Sequence, residues 1–319
     1  MDQAPHFVDI GGGIEMLDTG MADQRELNAV YLIASSEPAI VETGPAADSD
    51  QVLGGLQARG IGPADLAHLV VTHIHLDHAG GAGTLLRHFP NADVWVHERG
   101  AQHLVDPTRL VASTARTYGE DRMLRFFGVT EPVGPEAIRT VEEGDAIRLG
   151  DRSLEVLYTP GHASHHVALH DPDSGAVFTG EAVGSHLPWV DVYRPALPPP
   201  EVDLEAAFAS IEIIASRASR LLTSHFGPIE DVAEGCGRAA DRIHAWASTV
   251  ERAMREGADI DTIAATLGDQ AAAEHLADAG VPIDPSRYDP LGSIRMNAVG
   301  LERYWRKRWE RETETPQPS

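Results

Sequence analysis

Short apolar runs that end at glycine, proline or polar residues recur through the first two thirds of the chain. Residues 39–41, 66–71, 93–97 and 154–159 are such runs, rich in β-branched residues and too short for solitary helices. Residues 50–59 have the pattern of a helix between the first two runs. The alternation predicts an α/β body in which loops leave the ends of strands.

A long insertion separates the strand predicted at 93–97 from the next β segment. It covers residues 99–140, and 108–127 within it have helical spacing. Long insertions beside a site often act as lids, whereas a plain surface excursion is the alternative. Both interpretations stay open.

Successive helices are predicted from about residue 232 onward. Their expected bounds are 232–256, 260–267, 271–279 and 294–312, with Pro282, Pro285 and Pro290 in the last gap and a frayed end at 313–319. The chain thus divides into an α/β body at 1–231 and a C-terminal helical segment at 232–319. Residues 303–311 mix basic and aromatic residues, but interleaved glutamates favour a docked amphipathic helix over a nucleic-acid-binding segment.

Potential metal ligands are most concentrated in residues 72–81, Thr-His-Ile-His-Leu-Asp-His-Ala-Gly-Gly, directly after a predicted strand. His73 and His75 are two apart in an extended segment, so both point to the same side. Asp77 and His78 follow where the chain turns into a helix. Imidazole and carboxylate ligands suit zinc, and also iron or manganese. A polar loop with incidental histidines is the alternative, but this order of ligands after a strand favours a metal site.

Three later strand ends each offer another ligand. His162 follows a Pro-Gly turn, Glu181 follows the apolar run 176–180, and His225 follows the run 220–224. One histidine after a strand is usually structural. Open α/β sheets gather their chemistry at strand ends, so these segments can converge on one point.

With these residues, the chain resembles the metallo-β-lactamase superfamily, in its glyoxalase II-like branch of hydrolases, over about residues 5–230. The resemblance implies an αββα sandwich, here followed by a C-terminal helical extension. It also implies two divalent metal ions, zinc foremost, with iron or manganese as alternatives. The implied ligands are His73, His75 and His162 for one ion, Asp77, His78 and His225 for the other, and Glu181 as the bridge.

The chain departs from the family pattern at two carboxylates. The bridging residue is usually aspartate, but Glu181 stands there. The apolar strand that normally ends Asp-x-Gly ends Glu-Thr-Gly, with Glu42 at the first of these positions. We predict that Glu42 orients a ligand loop. A solvent-exposed carboxylate at the strand end is the alternative.

Two divalent ions lower the pKa of a bound water from ~16 toward ~7, which predicts attack by a metal-bound hydroxide on a carbonyl that one ion polarises. Asp77 is predicted to orient that hydroxide and to shuttle a proton to the leaving group. Thioesters, lactones and related esters are the natural substrates, because thiolates and alkoxides leave easily. A phosphodiesterase, and a metal-containing sensor or partner-binding protein with little turnover, remain the alternatives.

The loop after Glu181 is predicted to shape the substrate pocket. Trp189 and Tyr193 offer apolar walls, while His186 and Arg194 offer groups for an oxyanion or carboxylate. A rigid proline-rich loop without substrate contact is the alternative.

Composition restricts the partners. The formal net charge of −24 opposes binding to nucleic acid, and no apolar run approaches the length of a membrane span. Nothing near the N-terminus resembles a signal peptide, and the single Cys236 excludes an intrachain disulfide. We therefore expect a cytoplasmic enzyme with a small-molecule substrate, in which Cys236 packs and is not a nucleophile. A homodimer is left open, and so is the identity of the substrate.

Overall fold

The computed structural model describes residues 5–282, 284 and 287–314. Its first sheet has seven strands in sequential order. They are β1 (Val8–Asp9), β2 (Ile14–Asp18), β3 (Ala29–Ile33), β4 (Ala39–Val41), β5 (His68–Val70), β6 (Asp93–His97) and β7 (Ile138–Val141). The pairs from β1 to β4 are antiparallel and those from β4 to β7 are parallel. The parallel strands β4 and β5 therefore end on the same edge of the sheet.

The second sheet has six strands in the order β15-β14-β11-β10-β9-β8. The remaining strands, with the separate β12–β13 hairpin, are β8 (Ala146–Arg148), β9 (Ser153–Tyr158), β10 (Val167–Asp171), β11 (Ala176–Gly180), β12 (Ser185–Leu187), β13 (Val192–Arg194), β14 (Arg220–Thr223) and β15 (Gly227–Ile229). In this sheet β11 and β14 are parallel and the other neighbours are antiparallel. The ends of β11 and β14 consequently lie side by side.

The α-helices cover both outer faces. They are α1 (Ser49–Ala58), α2 (Leu76–Ala79), α3 (Ala82–His88), α4 (Glu98–Val105), α5 (Thr108–Tyr118), α6 (Glu120–Phe127), α7 (Leu204–Arg217), α8 (Val232–Arg255), α9 (Ile260–Ala279) and α10 (Ile294–Glu314). Short 3₁₀ turns lie at Met21–Asp23, Ala46–Asp48, Pro135–Ala137 and Asp289–Leu291. Among the described residues, no helix combines the length and apolar character needed to cross a bilayer.

Some predicted helix bounds were wrong. The helical spacing at 108–127 forms two helices, because Gly119 has a φ of 82°, which a helix cannot continue through. Conversely, the helices predicted at 260–267 and 271–279 are one helix, because Leu267 and Ala271 pack in the same hydrophobic cluster and outweigh the weak propensity of Gly268. The last helix extends to Glu314, whereas Pro285 and residues 315–319 lie outside the described residues.

Alternation of side chains along the strands builds three apolar layers. Val156 of β9 packs between the two sheets with Tyr31 and Phe178. Its neighbour Leu157 faces the opposite side and packs with α7 and the C-terminal helices. The outer face of the first sheet packs against α1, α3 and α4. The predicted αββα sandwich with a C-terminal helical extension is confirmed.

The C-terminal helices share one hydrophobic cluster with α7 and the second sheet. Trp246 of α8 is 1% exposed at its centre. Tyr304 of α10 is buried, and Trp305 donates from Nε1 to the carbonyl oxygen of Ala247 at 3.0 Å. This is the docked arrangement that the interleaved glutamates predict. Cys236 lies in the same cluster, where burial raises the pKa of its thiol to about 11, which agrees with a packing role.

Deleting residues 232–319 is expected to yield insoluble or aggregated protein. The deletion removes the cover from the apolar outer face of the second sheet, including Leu221 and Val177. Size-exclusion chromatography of the truncated chain checks this. Trp246→Ala is a milder test of the same contact. It should lower the free energy of unfolding by ~3–5 kcal/mol. A monodisperse truncation with a normal melting temperature would show that the helices only decorate the surface.

Candidate metal centre

Five strand ends deliver acidic and imidazole side chains to one region of the molecule. Glu42 follows β4, residues 72–78 follow β5, His162 follows β9, Glu181 follows β11 and His225 follows β14. The segment after β5 turns into α2 through backbone hydrogen bonds from His78 N and Ala79 N to the His75 carbonyl oxygen. Gly81 permits a close approach, because a Cβ there would lie 2.8 Å from the Thr43 carbonyl oxygen.

Four of the predicted ligands form a first group: His73, His75, His162 and Glu181, with donor atoms all within 4.8 Å of one another. His75 Nδ1 lies 2.9 Å from both His73 Nε2 and His162 Nε2. Glu181 Oε2 lies 2.9 Å from His162 Nε2 and 3.5 Å from His73 Nε2. Three imidazole nitrogens and one carboxylate oxygen therefore converge on one point.

The other three predicted ligands, Asp77, His78 and His225, form a second group with the same spacing limit of 4.8 Å. Asp77 Oδ2 lies 3.3 Å from His225 Nε2 and 3.6 Å from His78 Nε2. The two imidazole nitrogens are 3.3 Å apart. His78 and His225 are fully buried, while Asp77 faces the cavity described below.

Glu181 connects the two groups. Its Oε2 also lies 3.6 Å from His78 Nε2, and its Oε1 lies 3.8 Å from His225 Nε2. The structure thus places the seven side chains in the partition that the family resemblance implies, with the glutamate between the groups.

Glu181→Asp is expected to retain metal but to change turnover. The side chain becomes shorter by one methylene, so it cannot keep its contacts to both groups, whereas the six other donors are unchanged. Elemental analysis and rate measurements on the same preparation check this. Glu181→Gln keeps the length of the side chain and removes its charge. Comparison of the two variants shows whether the length or the charge determines turnover. Complete loss of metal from Glu181→Asp would show that the remaining donors are arranged for the longer side chain.

The second ring nitrogen of most of these histidines is already engaged by the protein. The contacts are His73 Nδ1 to Thr72 Oγ1 at 3.1 Å, His78 Nδ1 to Glu42 Oε1 at 3.0 Å, His162 Nδ1 to the Ala196 carbonyl oxygen at 2.9 Å, and His225 Nδ1 to the Leu27 carbonyl oxygen at 2.6 Å. Such contacts fix ring orientation and leave the opposite nitrogen directed into the group, as in metal-binding histidines.

Glu42 lies behind the two groups and contacts several buried side chains there. It is 0% exposed, so the alternative of a solvent-exposed carboxylate is wrong. Its Oε1 accepts from Thr72 Oγ1 at 2.6 Å and Ser224 Oγ at 2.8 Å, in addition to His78. Its backbone φ of 65° is unfavourable for a residue with a side chain. The strained backbone is held in place by contacts to two ligand-bearing loops, those after β5 and β14.

The charges of the cluster suit a cation. Burial alone would raise the pKa of Asp77, but the imidazoles of His78 and His225 hold it below its usual value. Burial likewise acts against ionisation of Glu181, yet His162 and its neighbours hold its pKa well below the usual range. Burial and the neighbouring imidazoles lower the pKa of His73. The nearby carboxylates raise the pKa of His78 and His162 against the effect of their burial. Ionised carboxylates and imidazole nitrogens, which would lose any proton when a metal binds, form a donor set that fits divalent metal ions.

Sequence reasoning missed several residues that support the cluster. His166 is buried, accepts from the Glu181 backbone N at 3.1 Å and contacts Thr159 Oγ1 at 2.9 Å. Asn28 Nδ2 donates to the Asp77 carbonyl oxygen at 3.0 Å. The only sequence signal was the run of histidines in which His166 follows His162. The contacts of Asn28 and Ser224 join distant segments and leave no local pattern.

A cavity of about 270 Å³ borders both groups. His75, Asp77, His162 and Glu181 belong to its lining. Its other walls come from α5 and α6 of the insertion, the loop 196–201, and α10 with the turn before it. The insertion therefore contributes a wall of the cavity, and its action as a lid stays a prediction.

The four predicted pocket residues lie outside this lining. His186 Nε2 contacts Asp191 Oδ1 at 3.1 Å, and Tyr193 packs under the Arg238 guanidinium at 4.5 Å. Arg194 is buried, with its guanidinium 4.0 Å from the ring of Tyr288. Trp189 packs in the cluster around α5 and α6. Packing, and not contact with the cavity, accounts for their positions, because the hairpin β12–β13 pairs its backbone with His225 and Phe226 and points these side chains elsewhere.

A model of the metallo-beta-lactamase superfamily matches residues 8–225, which include the first sheet, every strand of the second sheet except β15, and all seven candidate ligands. The chain belongs to this superfamily. The predicted membership is therefore confirmed, and the helices after residue 231 lie beyond the matched region.

Curated relatives include enzymes of the superfamily. Acyl-coenzyme A thioesterase MBLAC2 of Gallus gallus is 37% identical over 140 residues, covering 41% of this chain and 47% of that protein. Hydroxyacylglutathione hydrolase of Gloeothece citriformis is 29% identical over 154 residues, covering 48% of this chain and 47% of that protein. The chain thus spans about half the length of the curated relatives it matches.

Solved structures are similar over a larger share. An archaeal superfamily protein of Sulfolobus tokodaii has a TM-score of 0.66 at 18% identity, covering 91% of this chain and 98% of that one. A family protein of Thermus thermophilus has a TM-score of 0.64 at 22% identity, covering 88% of this chain and 89% of that one. At this identity the likeness shows the fold alone.

Proposed function

We propose that this superfamily member is a dinuclear metal-dependent hydrolase of thioesters, with lactones and related esters as further substrates. The observation that carries the proposal is the pair of donor groups that share Glu181 beside a cavity. The names of two relatives, an acyl-coenzyme A thioesterase and a hydroxyacylglutathione hydrolase, support the thioester class. The substrate would be a small molecule.

The seven residues of the two groups would hold the ions, three imidazoles and Glu181 for one, and Asp77, His78 and His225 for the other. Nitrogen and oxygen donors of this kind favour zinc, with iron or manganese as alternatives. When bound, two such ions supply a water of lowered pKa and an electrophile for the ester carbonyl.

Asp77 is the residue best placed to move a proton. Its carboxylate lines the cavity, and His78 and His225 keep its pKa low. At neutral pH it is therefore ionised and accepts a hydrogen bond from an attacking water, which orients that water. As the water oxygen bonds to the carbonyl carbon, Asp77 takes a proton from that water, and it passes this proton to the departing thiolate or alkoxide as the bond from the carbonyl carbon to sulfur or oxygen breaks.

The apolar part of the cavity wall would bind the acyl group of the substrate. Ile74, Leu76, Leu110 and Phe127 present apolar surface beside the ligand groups. Such a wall accepts an acyl chain and excludes bulk water, which strengthens the electrostatic interactions within the site. Within this proposal the catalytic body is residues 1–231, the helices from 232 complete the cavity, and the cytoplasm is the expected location.

A hydrolysis assay with thioesters, lactones and phosphodiesters tests the proposed function. Metal-reconstituted protein is expected to cleave thioesters fastest and to lose activity on chelation. Preference for phosphodiesters would replace the proposal by the phosphodiesterase alternative. No turnover of any ester by fully metallated protein would overturn it in favour of a sensor or partner-binding role.

A further inference from the structure

We propose that the C-terminal helix α10 contributes to the function of the site. In this proposal Asn297 is a positioning residue for His162. Asn297 contacts the loop 196–200, and Ala196 of that loop contacts the imidazole of His162. The inference rests on the proposed function for its substrate effects. Its effect on metal retention is independent of any substrate.

The first contact joins α10 to the loop. Leu197 N donates to Asn297 Oδ1 at 2.7 Å, across 100 residues of sequence. Both residues are buried, at 1% and 4% exposure. Asn297 Nδ2 in turn donates to the Ser293 carbonyl oxygen at 3.2 Å, which sets the orientation of the amide. A buried backbone N–H that loses its acceptor is costly, so Asn297 restricts the path of the loop.

The helix also touches the loop backbone directly. A Cβ at Gly300 would overlap the carbonyl oxygen of Leu197, so only glycine allows this approach. Arg303 Nε donates to the Pro200 carbonyl oxygen at 3.3 Å. The prolines at 198, 199 and 200 have no N–H of their own. Helix α10 therefore supplies an acceptor for Leu197 N and a donor for the Pro200 carbonyl oxygen, in a loop whose prolines leave it few donors of its own.

The loop then orients a ligand. The Ala196 carbonyl oxygen, one residue before Leu197, lies 2.9 Å from His162 Nδ1. The opposite nitrogen of that ring lies 2.9 Å from both His75 Nδ1 and Glu181 Oε2. A shift of Leu197 consequently turns the His162 ring within the first donor group. The histidines of the second group are oriented from other segments, by the Glu42 carboxylate and the Leu27 carbonyl oxygen.

The same contact shapes the cavity. Leu197, Pro198 and Pro199 line it together with Met296 and Asn297 of α10. Movement of the loop thus changes both the orientation of His162 and the space for the acyl group. Two effects are expected from one variant: weaker retention of the ion at the first group, and altered preference among acyl chains.

The test uses the full-length metallated protein and four variants. Asn297→Leu removes the acceptor at similar size, and Asn297→Asp keeps an oxygen acceptor for Leu197 N. Gly300→Ala forces the helix away from the loop. Gly237→Ala is the matched control, because a Cβ at this α8 position meets no atom within 4 Å. Metal retention against a chelator, the melting temperature of the metal-free protein, and kcat and KM on short- and long-acyl thioesters are measured.

Asn297→Leu and Gly300→Ala are expected to weaken the binding of one of the two ions by ~10–100-fold, as for other residues that orient a ligand. They should also change the ratio of kcat/KM between the acyl lengths. Asn297→Asp should recover much of the metal retention, and Gly237→Ala should match the parent. Lower melting temperature with unchanged metal retention would overturn the inference and leave α10 a purely structural role. Failure of the parent to hydrolyse any ester would defeat the proposed function but not this result.

Discussion

Asp77→Asn is expected to lower turnover on the best thioester or lactone by ~100-fold or more, the usual cost of losing a positioned acid-base group. The substitution keeps size and removes the charge that His78 and His225 stabilise. The fold should survive, and the ion at the group of His73, His75 and His162 should stay. Steady-state kinetics and elemental analysis of the same sample check the two expectations.

The controls for Asp77 separate chemistry from metal loss. Excess metal should restore occupancy of the second group but recover only part of the rate. Asp269→Asn, the same exchange at an exposed position of α9, should behave as the parent. Near-normal turnover of Asp77→Asn would refute the role of this residue, and the sensor alternative would gain support.

Glu42→Ala is expected to lower the free energy of unfolding of the metal-free protein by about 3 kcal/mol or more. The reason is that several buried donors lose their acceptor at once, each at a cost of ~1–3 kcal/mol. These donors belong to Thr72, Ser224 and His78. Denaturant unfolding without metal measures this effect.

Glu42 also acts on metal binding. Because it fixes the His78 ring through Nδ1, its loss should weaken the ion at the second group by ~10–100-fold. Glu42→Gln keeps an oxygen acceptor and should show smaller effects on both measurements. Unchanged stability and metal retention in Glu42→Ala would mean that the buried contacts of this carboxylate contribute little.

Local sequence pattern was enough to predict the candidate ligands. His73, His75, Asp77 and His78 lie within six positions after one strand, and the strands themselves are short apolar runs with clear ends. Strand direction then places Glu181 and His225 side by side, because β11 and β14 are neighbouring parallel strands. The αββα fold followed from the same pattern together with the family resemblance.

The local sequence pattern could not predict the contacts that support the ligands or the lining of the cavity. Asn297 and Leu197 meet only because α10 packs on the second sheet, a tertiary contact without local periodicity. The loop after Glu181 was predicted to shape the substrate pocket, but its four predicted residues lie outside the cavity lining, because the backbone of its hairpin pairs with the segment at His225 and Phe226. The continuous helix α9 shows the same principle, since packing of Leu267 and Ala271 overrides the glycine between them.

Metal content of the purified full-length chain, isolated without chelator, tests the central claim most directly. Elemental analysis is expected to find about two transition-metal ions per chain, one for each donor group. His225→Ala should then hold about one, because it removes a ligand of the second group only. A parent chain that still binds one ion or none after reconstitution with excess zinc, iron or manganese would contradict the dinuclear hydrolase.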